Sequence, residues 1–430
     1  MTTMHPFIAL CAALFFAALP EPGRAQGQAD ASLAQAARSG SYSLEDLITI
    51  ARRDNAALQA VRAQYLAARA GITSSRAYPN PEVELLRGPV RPLSAGALSG
   101  TGSGIALSQR LENPALREAR AGAAEATARG AQIGVRTAEN NLIAAIKTQF
   151  FEVLQRQEEV AAAQEDLLLT EQIRDRIVVR VRTGEGARFD QLRAENEMSI
   201  AAKELERART RALQSRVTLK IAVGSPLPDD YTLKGDFYRS LPQADYNTLR
   251  ELVVTANPDL RRFESEVVRA ERQVEVERQS VVPSLSVRLT QDTSPDSRST
   301  RAGVALTVPL WDRRAGPIDE ARAQLLRNRS ESASRRFELA QAFEAAWHQF
   351  QSAAKTVQAL EGGILQQARS IVDIAEAAYR YGERGILEYL DARRQFRLTR
   401  NDLIAARFDL YAAKTELERL AARDLQGQPE

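Results

Sequence analysis

The amino-acid sequence predicts a mainly α protein. It is built from long antiparallel helical hairpins of coiled-coil type in two tandem repeats, with four short β-strands per chain. Three observations predict this class. Prolines are absent from 115–225 and from 318–428, two stretches of 111 residues each. Proline breaks helix interiors, so each stretch can hold very long helices. The two halves of the chain match each other in order. Between the helices, apolar residues alternate with period two, the pattern of a strand with one apolar face.

At the N-terminus, the apolar run 7–19 is followed by Pro20, Pro22 and Gly23 and then by Arg24-Ala25-Gln26. This layout predicts a secretory signal over 1–25, cleaved after Ala25, and the run is too short to span a bilayer. Cys11 lies inside the run rather than at the cleavage point, which argues against a lipoprotein. A short extension over 26–42 follows. The first repeat is expected over 43–223, a Pro-rich linker over 224–245, the second repeat over 246–423 and a tail over 424–430.

Each repeat has the same element order. A helix of about 35 residues is expected over 43–77 and again over 246–279. Residues 47–85 align with 249–287 without gaps, pairing Asn55 with Asn257 and Pro81 with Pro283. Alternating runs follow: Val83 and Leu85, then Ile105 and Leu107, in the first copy; Leu285, Val287 and Leu289, then Val304, Leu306 and Val308, in the second. The GIALS at 104–108 matches the GVALT at 303–307. The connection 88–104 contains GTGSG without the Lys-Ser/Thr ending of a phosphate loop, and is read as a solvated loop. Helices of about 65 residues are expected next, over 116–182 and 318–381, each about 100 Å long at 1.5 Å per residue. In the second, Phe343, Trp347, Phe350, Ala354, Val357, Glu361, Ile364, Ala368, Ile371, Ala375 and Ala378 step by four and three, a heptad seam. Ile146, Phe150, Val153, Val160 and Leu167 do the same in the first. Turns follow at Gly184-Glu185-Gly186 and at Gly382-Glu383-Arg384-Gly385, where glycine supplies φ > 0. Returning helices run to about 223 and 422.

Composition excludes several functions. Lys+Arg number 58 against 55 Asp+Glu, a net charge of +3 that leaves no large footprint for nucleic acid. After signal removal the chain keeps one His (His348), one Met (Met198) and no Cys. That set supports neither a disulfide scaffold nor a Cys/His metal centre. There is no Ser/His/Asp set, no HExxH and no phosphate loop, so no catalytic residue, cofactor or resident metal is expected.

Four strands that are apolar on one face and polar on the other make a poor isolated sheet. The pattern fits a transmembrane barrel. Closing one takes at least about eight strands, and lipid tolerates no open edge, so other copies of the chain must complete it. The ten alternating residues named above are then the lipid-facing set, and Trp311 suits an interfacial girdle.

The element order, together with ANPDL at 256–260, YPNPEVEL at 78–85 and GERGILEYLDA at 382–392, resembles the TolC family of outer-membrane efflux channels over essentially the whole mature chain. DNAAL at 54–58 lacks the proline of its counterpart. PNPEVE and LSQRLENPALREAR resemble the branch that serves heavy-metal cation exporters (CzcC-like), although Asn113-Pro114 stands where that branch usually has Gly-Gly-Lys-Arg. The resemblance implies a homotrimer with a twelve-stranded barrel in the outer membrane and a helical tunnel across the periplasm. It implies partners as well: a periplasmic adaptor and an inner-membrane proton-driven pump. It also implies a periplasmic gate. Glu388 and Asp391 would ring the entrance, while Tyr379 and Arg384 would latch the closed tip, with Asp190 as one partner. Phe189 replaces a polar partner beside Asp190. Gly184, Gly186, Gly382 and Gly385 would form the tip turns, with Leu387 and Arg188 facing the adaptor. His348 is read as a packing or surface residue. Any metal specificity is expected in pump and adaptor. Two other readings stay open: a multidrug or protein-export channel, and a periplasmic coiled-coil adaptor or structural protein.

Overall fold

The computed structural model describes residues 40–91, 98–239 and 245–423. The expected signal 1–25, most of the extension and the tail 424–430 lie outside the described residues.

The order is β1 (Ser41–Ser43), α1 (Leu44–Asp54), α2 (Ala56–Arg76), β2 (Glu82–Val90), β3 (Gly100–Leu111), α3 (Pro114–Arg182), α4 (Arg188–Val223), β4 (Thr232–Lys234), α5 (Tyr246–Thr255), α6 (Pro258–Gln279), β5 (Ser284–Thr293), β6 (Arg298–Thr307), α7 (Ala315–Ala359), a π-helical segment (Leu360–Ile364), α8 (Leu365–Arg380) and α9 (Ile386–Ala421). The chain is mainly α, and each half reads helix, hairpin of strands, long helix, turn, returning helix.

Helix α3 runs unbroken for 69 residues. Asn113 caps it through Ala115 N–H, and Pro114 sits in the first turn, where its missing N–H costs nothing. Helix α3 packs along α2, α4 and α6, and α7 packs along α6 and α9. The first-copy seam is buried through Ile146, Phe150 and Val153.

Three expectations are corrected. The helices expected over 43–77 and 246–279 are each broken in two. Asn55 and Asn257 leave the helical path to cap the following helix. Asn55 Oδ1 accepts from Leu58 N–H at 3.0 Å while its Nδ2 donates to Val223 O at 3.2 Å. Asn257 Oδ1 accepts from Leu260 N–H at 3.2 Å, and its Nδ2 donates to Leu420 O at 2.8 Å. Each side chain thus caps one helix and satisfies an orphan carbonyl at the end of the returning helix, α4 or α9.

The second long helix is not continuous. LEGGI at 360–364 winds as a π segment, which inserts one residue into the seam. Phe343 and Val357 are buried as the heptads require, and beyond the insertion Ala368 and Ala375 keep their expected inward places, but Leu365, Val372 and Tyr379 now turn inward beside them. Ile364, Ile371 and Ile374 are left exposed.

GTGSG is strand, not loop: it opens β3. The linker carries structure of its own. Strand β4 pairs in parallel with β1, and Tyr231 and Phe237 are buried in the core formed by α1, α3, α4 and α9. A second core joins α5, α6, α7 and α9 around Leu260, Phe343 and Leu417. A side chain such as Phe343, 1% exposed, contributes about 1.5–3 kcal/mol by leaving water.

Strands β2-β3-β5-β6 form one antiparallel sheet in that order. Among the described residues, β2 and β6 each pair with a single neighbour, so both edges of the sheet are open.

Candidate functional site: the hairpin tips and the sheet wall

The turns at the far ends of the hairpins are built alike. Gly184 has φ +84° and Gly382 φ +74°, the left-handed region that suits glycine. Glu185 N–H bonds Arg180 O at 2.9 Å and Gly184 N–H bonds Val181 O at 3.2 Å. Glu383 N–H bonds Ala378 O at 2.9 Å and Gly382 N–H bonds Tyr379 O at 3.2 Å. These are paired Schellman closures of α3 and α8. Gly186 and Gly385 differ from expectation, since neither takes positive φ. Gly385 is the extended N-cap residue of α9. Gly186 is needed for space: a Cβ there would meet Val181 Cγ2 at 3.1 Å.

Ile173 and Ile177 of α3, Ala194 of α4, and Ile386 and Tyr389 of α9 make one core that joins both hairpins at the tip. Tyr379 stacks on Tyr389 with ring centroids 6.0 Å apart and planes 11° apart. The Arg180 guanidinium of the other hairpin lies 5.3 Å over the Tyr379 ring. Burial pushes the Tyr389 phenol above its ordinary value. Arg384 Nη1 donates to Glu388 Oε2 at 3.1 Å, one helical turn away. Among the described residues neither Arg384 nor Tyr379 bonds Asp190; Arg384 has its own helix's Glu388 instead. Asp190 lies in the first turn of α4, beside Phe189, which is exposed. Asp391 is exposed on α9, one turn beyond Leu387, also exposed. Arg188 donates to Gln191 at 2.9 Å. A cleft of about 660 Å³ between the hairpins is lined by Arg176, Arg180, Arg380, Glu185 and Glu376 beside the two tyrosines.

In the sheet, the register settles which residues share a face. Val83, Leu107 and Leu289 form one cross-strand row, Leu85 and Ile105 another. Val287 with Val304 and Leu285 with Leu306 continue the same face, and Val308 keeps its parity just past β6. The ten expected residues therefore share one side, and all but Leu285 are strongly exposed. The other side carries Glu82, Glu84, Arg288 and Arg301. Trp311, just beyond β6, is 93% exposed.

Sequence reasoning missed two networks. Lys147 Nζ lies 2.7 Å and Lys414 Nζ 3.2 Å from Glu418 carboxylate oxygens, all three residues buried, tying α3 to α9. Arg407 of α9 pairs with Glu361 in the π segment, donates to Phe237 O at 3.2 Å, and covers the Tyr238 ring at 4.6 Å. Lys147 falls just after Ile146 of the expected seam, a position that flags an inward cation. Nothing in the sequence flags Arg407, because its partners lie on two remote segments. His348 is exposed, as the surface reading expects. Among the described residues no group of three or more His, Cys, Asp or Glu side chains could hold a metal, and no helix is long and apolar enough to cross a membrane.

Two helical hairpins are thus joined at their tips, with a two-faced and open-edged sheet at the other end. The chain belongs to the outer membrane efflux protein family, which matches residues 47–225 and 249–423. It is accordingly an outer-membrane channel protein with its helices in the periplasm, and not an enzyme, which sets the adaptor reading aside. The chain is 25% identical over 387 residues to the cobalt-zinc-cadmium resistance protein CzcC of Cupriavidus metallidurans, covering 90% of this chain and 91% of that one. A crystal structure of a membrane protein from Pseudomonas aeruginosa superposes with TM-score 0.78 at 21% identity over 88% of this chain and 92% of that one. The open state of the MtrE outer membrane channel of Neisseria gonorrhoeae superposes with TM-score 0.76 at 18% identity over 89% of each chain.

Proposed function

We propose that this chain is one subunit of a homotrimeric exit duct. Three four-stranded sheets close a twelve-stranded barrel in the outer membrane, and the helices continue it as a periplasmic tunnel. The observation that carries this reading is the sheet: one face that holds the ten apolar residues, the other holding Glu84, Asp292, Arg288 and Arg301, and, among the described residues, a free edge on both β2 and β6. An open edge in lipid leaves backbone N–H and C=O groups unpaired, at several kcal/mol each, so the edges must find partners. Head-to-tail pairing of β6 with the next copy's β2 supplies them. The apolar residues from Val83 to Val308 then face lipid, and Trp311 lies at the interface.

The duct serves a tripartite system with a periplasmic adaptor and a proton-driven inner-membrane pump, and its cargo is heavy-metal cations. Likeness to CzcC along nine-tenths of the chain supports this cargo. Residues 1–25 act as the export signal. At the tip, Glu388 and Asp391 form acidic rings that favour cations, while Tyr379 and Arg384 latch the closed tip to the neighbouring turn, with Asp190 as one partner. Leu387 and Arg188 face the adaptor.

The purified mature protein tests the duct. A heat-modifiable trimer on gels and discrete conductance steps in planar bilayers are expected. A freely soluble monomer that opens no pores overturns the reading. A deletion strain should lose growth on cobalt, zinc or cadmium. Loss of growth on antibiotics alone would move the cargo to drugs.

A further inference from the structure

The charged face of the sheet holds groups that neither the tip gate nor the lipid face uses. The argument rests on the proposed reading that this face lines the barrel lumen. Strand pairing places Glu82, Glu84 and Asp292 there with Arg110, Arg288 and Arg301, three charges of each sign. Four of the six are paired across strands. Arg288 Nη2 donates to Glu84 Oε2 at 2.7 Å, although β3 lies between their strands β5 and β2. Arg301 Nη2 donates to Asp292 Oδ2 at 2.6 Å, from β6 to β5.

The long reach over β3 is possible because that strand offers only small residues to this face over most of its length: Gly100, Gly102, Gly104, Ala106 and Ser108. Ala106 is 7% exposed, whereas Ile105 and Leu107, on the opposite face, are 47% and 44% exposed. A Cβ on Gly104 would come within 2.8 Å of Asp292 Oδ1, so that carboxylate leans across the glycine. GTGSGIALS is thus a bed over which the ion pairs lie flat against the wall. The paired side chains remain 46–71% exposed. Exposed pairs of this kind add only about 0–1 kcal/mol to stability, so their main effect is on the field in the bore. Opposite charges in contact project a field that dies off faster than that of either charge alone.

We propose that Arg288 and Arg301 set the barrel's ion preference by neutralising Glu84 and Asp292, so that the barrel wall neither attracts cations nor repels anions and charge selection is left to the tip. Removing Arg288 would unmask one carboxylate per subunit, a ring of three in the trimer.

Reversal potentials of the full-length protein in planar bilayers under a KCl gradient test this. Arg288→Gln should raise the K⁺/Cl⁻ permeability ratio about twofold at roughly 0.1 M salt, where screening acts over about 10 Å. Glu84→Gln should shift it the opposite way, and the double variant should return to the wild-type ratio. Arg301→Gln repeats the test on the second pair should an Arg288 variant fail to insert. Unchanged ratios in variants that conduct normally overturn the proposal while leaving the duct intact, and a double variant that keeps the single variant's shift overturns the pairing. Absence of any pore from the wild-type protein overturns the duct itself.

Discussion

At the scale of single residues, Asn55 and Asn257 show what one side chain can do at a helix junction. Each accepts from the N–H groups of the helix it starts and donates to the last carbonyls of a helix that ends beside it. Both are buried. Asn257→Ala should remove the cap and leave Leu420 O unsatisfied, lowering stability by about 1–3 kcal/mol. Thermal melting of the detergent-solubilised protein checks this: an unchanged midpoint would show that water replaces the amide. The repeat alignment pairs these asparagines in sequence, yet their role was not legible there, because the accepting carbonyl of Asn257 is 163 residues away. At the tip, Asp391→Ala should reduce cation preference in bilayer recordings, and Glu388→Gln less so, since Arg384 already occupies the Glu388 carboxylate. Equal selectivity in Asp391→Ala and wild type would remove Asp391 from the ring.

Among the elements, α3 and the two tip turns were legible in the sequence, because proline absence, heptad steps and glycine position act locally. The π segment was not. A heptad count assumes seven residues in every two turns, and at Gly362-Gly363 a local exception turns Leu365 and Val372 inward in place of Ile364 and Ile371, while Ala368 and Ala375 keep their places. The prolines of the linker mark where the repeats meet but not how it packs: Tyr231 and Phe237 bury themselves in the core. Tyr238 extends that anchoring, with its hydroxyl 3.1 Å from Glu158 and its ring under Arg407. Burial first, then the Glu158 charge, push the Tyr238 phenol up to about 12 from an ordinary 10.0. An acid whose pKa rises on folding contributes stability that is complete below the unfolded pKa and is lost as pH climbs through the folded one. The melting midpoint should therefore fall more steeply between about pH 10 and 12 in the wild type than in Tyr238→Phe. Parallel pH profiles of the two proteins would count against the anchoring role.

Across the whole molecule, the two repeats are joined by charge as well as by apolar packing. Glu418 lies between Lys147 of the first repeat and Lys414 of its own helix, and all three are at most 6% exposed. Removing the shared anion leaves two buried ammonium groups without it. Glu418→Ala should cost about 3–5 kcal/mol, far more than loss of an exposed pair such as Arg384–Glu388. A cost below that of Asn257→Ala would mean that the lysines reach solvent. The overall architecture was readable from the repeat alone, since each half carries the same order of elements. The cross-repeat charges were not, because no periodicity reports which helix lies against which.

The irregular winding at 360–364 belongs to the second hairpin only, whereas α3 in the first is uninterrupted. A threefold ring of such chains would carry six prongs of two alternating shapes. A docking protein with six identical arms would then meet two grades of socket, and its titration curve should break at three arms before reaching six.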